Sequence, residues 1–165
     1  ALRRPGLAHL AITPHRTILL TFAAFGAAVG AHVGSLPVLI QNSGISNFEF
    51  GVAGGIGMIA NILAMSLGGR INRVADHRKV LLIMLPAIAL ALAFALLVNS
   101  VWSFMLSFIL LSFTLGMTDL FMNAEASIVE HELNRKVFST YHGTVSILIA
   151  VFAFLVWHNL RPSRL

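Results

Sequence analysis

The 165-residue chain contains no cysteine, which excludes a disulfide framework and any thiolate metal site. It is almost as poor in charge, since Asp, Glu, Lys and Arg make up 10% of it, against about 25% in a soluble domain. That leaves too little polar surface to cover a water-soluble globule of this length. No nucleophile–base arrangement, metal-ligand cluster or glycine-rich phosphate loop stands out, so neither an enzyme, a cofactor nor a bound metal is expected. What is abundant is apolar: 58% hydrophobic residues and a mean hydropathy of +0.88. The length allows at most one domain. These features describe an integral membrane protein.

A helix that crosses a bilayer needs about 20 mostly apolar residues. Five stretches qualify, at about 17–40, 50–69, 80–98, 101–123 and 144–160, which predicts an all-α membrane bundle of five helices. The fourth carries no charge from Val101 to Gly116, and a helical continuation would take it to Leu133. A signal peptide over residues 1–31 fits Arg16, the apolar run and "VGA" loosely. Against it, the run continues to Ile40 and four more apolar spans follow.

Orientation follows from Lys and Arg in the short loops. Arg3, Arg4 and Arg16 precede the first span, Arg70, Arg73, Arg78 and Lys79 separate the second from the third, and Arg135 and Lys136 separate the fourth from the fifth. Residues 41–49 and 99–100 hold none. Residues 1–16 are therefore expected in the cytoplasm, with the spans in the cytoplasmic (inner) membrane. The net charge of +5 is spread beside the spans rather than gathered on one face, so no nucleic-acid partner is expected. Arg161 and Arg164 break the pattern by falling on the outer side.

Gly26, Gly30 and Gly34 give span one two overlapping GxxxG spacings, and Gly51, Gly54, Gly55 and Gly57 open span two. Small residues at such spacings let helix backbones approach closely. Pro37 and Pro86 are expected to kink or loosen their helices. His32 and Asn61, the polar groups inside spans one and two, read either as interhelical hydrogen-bond partners or as lining a substrate path.

The fourth span raises the sharpest question, because "MTDLFMNAEASIVEHE" puts carboxylates after a charge-free run. At about 100° per residue, Asp119, Asn123, Ala126 and Glu130 share one stripe and Glu125 lies off it. Facing the bundle interior, that stripe would be a hydrated path. Burial disfavours the charged form of a carboxyl group, so Asp119 would load and release a proton, with Asn123 binding a polar substrate. In the competing arrangement span four ends near Gly116, and Thr118 or Asp119 caps an amphipathic helix at the cytoplasmic interface.

The run "GMTDLFMNAEASIVEHELNRKVFSTYHGTVS" resembles the fourth-helix signature of fucose-permease-like carriers of the major facilitator superfamily. It matches D-x-x-M-N-x-Q/E-A/G-x-x-V-E, then a basic loop and H-A/G-x-x-S, at Asp119, Met122, Asn123, Glu125, Ala126, Val129, Glu130, Arg135, His142, Gly143 and Ser146. The loop "GGRINRVADHRKV" is similar to the superfamily's G-x-x-x-D-R-x-G-R-R/K, matching at Gly68 and Arg73, with Asn72 in place of Asp and Ala75 in place of Gly. The resemblance covers most of residues 17–146. It implies proton coupling at Asp119, a substrate contact at Asn123, and cytoplasmic gating by Gly68, Asn72, Arg73, Glu130 and Arg135; His32 and Asn61 join the substrate-binding candidates only as polar groups inside their spans. It also implies a twelve-helix fold of inverted repeats, of which this chain would be an incomplete N-terminal half.

The expected function is thus secondary transport of a small polar solute, such as a sugar, coupled to protons, with the lipid bilayer and a missing C-terminal half as partners. Past Ser146 the likeness fades, and with Arg161 and Arg164 this marks residues 161–165 as a tail foreign to such a carrier, as in a truncated or frame-shifted product. Two alternatives stand beside it: an efflux carrier for amphipathic compounds, and a small non-transporting membrane subunit or scaffold.

Overall fold

The computed structural model describes residues 14–160 and consists of five helices: α1 (Pro14–Ser43), α2 (Asn47–Ile71), α3 (His77–Ala95), α4 (Val101–Leu133) and α5 (Phe138–Leu160). No strand occurs among the described residues. Arg3, Arg4, Arg161 and Arg164, and with them the expectation of a foreign tail, lie outside the described residues. All five helices are long and apolar enough to cross a membrane. Large apolar side chains such as Leu82, Leu90 and Trp102 stand on the outer surface. Such a surface belongs in lipid rather than water.

Polar turns supply caps that set several of the helix ends. Ser46 and Glu49 form a capping box at the start of α2, with the Glu49 carboxylate accepting the Ser46 N–H at 2.8 Å. Asp76 caps α3 by accepting the Arg78 N–H at 3.0 Å, so that helix begins at His77 rather than 80 and ends at Ala95 rather than 98. Ser100 and Ser103 cap α4 reciprocally. At its other end α4 runs to Leu133 and stops at Asn134, which adopts the left-handed conformation at φ 47°. Pro37 and Pro86 sit inside helices that continue past them.

The fourth helix is the hub. It packs against α2 and α3 along their lengths and touches α1 and α5, while α1 lies along α5. The α1–α5 seam is the glycine ridge. A Cβ added at Gly26 would lie 2.8 Å from the Val145 carbonyl oxygen, and one at Gly30 2.5 Å from that of Ile149. Gly34 meets Ala153 in the same way. Backbone thus rests on backbone along two turns of each helix. In span two Gly57 and Gly68 instead make room for side chains of α4, Ser112 and Leu120, whereas Gly51, Gly54 and Gly55 face open space.

Candidate functional site

Helix α4 passes through Asp119 without interruption, and the Thr118 hydroxyl donates to the Thr114 carbonyl at 2.7 Å as in any helix interior. That removes the arrangement in which Thr118 or Asp119 caps a separate interfacial helix. Asp119 and Asn123 are both half-buried one turn apart. The Asn123 amide nitrogen donates to the Asp119 carbonyl at 2.8 Å and to Oδ1 of its carboxylate at 3.0 Å. These two bonds consume both amide hydrogens. What remains free is oxygen: Asn123 Oδ1 is buried without a partner, and the second oxygen of Asp119 accepts no bond among the described residues. Asn123 was expected to offer donors as well. The structure leaves it an acceptor only.

The ring of His142 on α5 packs edge-on against Phe22 at 5.5 Å. His32 is elsewhere. Its ring stands over Phe108 at 5.2 Å, and Phe108 is eleven residues from Asp119, about 16 Å of helix rise. Its Nδ1 is buried with no hydrogen-bond partner among the described residues. Asn61 donates to the Ser112 carbonyl at 3.2 Å, and Gly116 makes room for it, since a Cβ there would sit 2.7 Å from the Asn61 amide. Asn61 is therefore an interhelical tie. Phe108, Ser112, Asp119 and Asn123 line one stripe of α4, with His32 and Asn61 at its far end.

The five residues expected to gate do not form one network. Glu130 accepts the backbone N–H groups of Val137 and Phe138, both at 2.7 Å, and so caps α5 across the α4–α5 turn. Asn72 is the C-cap of α2, its N–H bonded to the Gly68 carbonyl at 2.7 Å. Gly68 packs under Leu120 and Met117. Arg73 and Arg135 are exposed and join no ion pair among the described residues.

The carboxylate that sequence reasoning passed over is Glu125. It is only 7% exposed, and it accepts from Arg78 Nε at 2.9 Å while its other oxygen lies 3.4 Å from His77 Nδ1. The His77 ring also packs edge-on against Phe121 at 5.6 Å. The signal was present: an acid off the polar stripe of a membrane helix must find a cation on a neighbour, and "HRK" opens the next helix in space. Counting from Glu125, Asp119 lies six residues further along, about 9 Å of rise inside the level of this charged rim. No family model, curated protein or solved structure matches the chain.

Proposed function

We propose that the chain forms the N-terminal part of a major-facilitator-type secondary carrier, in which Asp119 carries the coupling proton and Asn123 contacts the solute. The observation that carries this reading is the Asp119–Asn123 pair. A carboxylate held half out of water, on an unbroken spanning helix and about 9 Å inside the nearest charged rim, is costly unless it is used. Asn61 bonds α4 at Ser112, seven residues and about 10 Å beyond Asp119, so the two polar levels bracket the middle of an apolar layer about 30 Å thick. Carriers of this kind bind their solute near that depth. The free oxygens of Asp119 and Asn123 ask for a solute that donates, which favours hydroxyl-bearing molecules such as sugars.

The N-terminus is assigned to the cytoplasm, in the inner membrane, because Arg70, Arg73, Arg78, Lys79, Arg135 and Lys136 cluster at one end of the bundle. In transport, protonation of Asp119 would weaken its hold on the Asn123 amide and free a donor for the solute, so loading of the two ligands would be linked. The test is proteoliposomes carrying the complete gene product under an inward proton gradient. Asp119→Asn is expected to abolish solute-dependent proton entry while leaving solute binding within about tenfold, the size of a single hydrogen-bond change. Proton-coupled uptake that survives this change undiminished removes Asp119 from the mechanism.

A further inference from the structure

A cavity of about 410 Å³ opens between α1 and α3, well apart from the Asp119 pair. Leu20, Leu81, Leu82 and Leu85 form its walls, the Thr21 hydroxyl belongs to its lining, and Arg78 with Glu125 closes the end nearest the helix N-termini. From Arg78 to Leu85 the groove runs seven residues of α3, about 10 Å. Arg78 commits only its Nε to Glu125, its side chain stays 65% exposed, and its terminal amino groups are outside that bond. Arg16 on α1 and Lys79 on α3 are exposed at the same end. Three carboxylates oppose these three cations, one of them Glu132 at the end of α4, whose field also reaches Arg78. Glu125 is buried beneath Arg78 and His77, and Asp76 lies 3.9 Å from Lys79 and is held by the α3 cap.

We infer that this groove is a binding site for an anionic phospholipid, with one acyl chain lying along Leu20, Leu82 and Leu85 and the phosphate seated on Arg78. Two features select that occupant. The walls are aliphatic and open on the outer, lipid-facing surface, where Leu20 and Leu82 are 60% and 73% exposed. The cations lie at one end only, at the level where a chain inserted from the bilayer would leave its headgroup, and basic pockets between membrane helices at that level take acidic headgroups. A zwitterionic lipid would fill the groove equally well, but its headgroup would bring no net negative charge to the uncommitted amino groups of Arg78. Arg78, already pinned by Glu125, presents its remaining amino groups with little further ordering.

The experiment is native mass spectrometry of the full chain released from a neutral detergent, titrated separately with dioleoyl phosphatidylglycerol and dioleoyl phosphatidylcholine. Phosphatidylglycerol is expected to be retained in preference. Arg78→Gln should weaken that retention about fivefold, the worth of one basic group near a membrane surface. Because Arg78 also ties α3 to α4, Leu82→Trp serves as the second variant: it fills the groove without touching the ion pair and should displace the lipid. Equal retention of the two lipids, a dimer in place of a lipid adduct, or phosphatidylglycerol retention unchanged in Leu82→Trp would each overturn the site.

Discussion

Glu125 and Asp119 are six residues apart on one helix, yet their surroundings differ in kind. Glu125 points across the α3 start and spends its charge on Arg78 and His77, whereas Asp119 keeps one oxygen uncommitted beside the buried carbonyl of Asn123. The first is a structural tie, and the second is bonded only within its own helix turn. Glu125→Ala should therefore lower stability by about 1 kcal/mol, within the range measured for polar side-chain ties inside membranes, with no direct effect on proton coupling. An SDS titration monitored by circular dichroism reads the shift, and a midpoint equal to wild type would show that the pair ties nothing. Periodicity made the Asp119–Asn123–Glu130 stripe legible because spacing along one helix is local. Glu125 was not legible as a tie, because its partners are set by where α3 begins, which depends on the Asp76 cap rather than on any apolar pattern. Glu130 shows a related limit: spacing gave the face it occupies but not that the N–H groups of Val137 and Phe138 turn back to meet it.

Among the elements, the apolar runs revealed the five helices but not their ends. Runs of hydrocarbon stop at the first polar residue, while a helix continues for as long as its terminal amides and carbonyls find partners. Hence α4 carries ten residues beyond position 123 and α5 begins six before position 144. Spacing alone also could not tell a glycine that is used from one that is not. Gly30 and Gly54 look alike in sequence, yet an added Cβ meets backbone at Gly30 and nothing within 4 Å at Gly54. Gly30→Val should consequently separate α1 from α5 at a cost of about 2–3 kcal/mol, the upper range for overpacking against atoms that cannot rotate away. Gly54→Val, an exposed change in the same bundle, should stay within about 0.5 kcal/mol. The same unfolding titration compares them, and similar midpoints for both would mean that the α1–α5 seam contributes no stability. A side chain facing the ridge could flex, but Val145 and Ile149 meet it with backbone.

At the scale of the whole molecule, the chain sorts its charge by end. The end of the bundle where α2 leads to α3 and α4 leads to α5 carries Arg70, Arg73, Arg78, Lys79, Arg135 and Lys136 in the connections and the adjoining helix turns, while the α1–α2 and α3–α4 connections at the other end carry no Lys or Arg. Helix α2 separates the two ends by 25 residues, about 37 Å, which exceeds an apolar layer of about 30 Å. A residue just before α2 and one just after it must therefore emerge on opposite faces. Asn42 and Val74 are exposed at those positions, and the lack of native cysteine gives a silent background for labelling. With Asn42→Cys and Val74→Cys made singly in intact cells, a membrane-impermeant maleimide should label position 42 at once and position 74 only after permeabilisation. The opposite pattern would invert the bundle. It would also set Arg78 against the outer leaflet, and the proton gradient imposed to test the proposed coupling at Asp119 would have to be reversed as well.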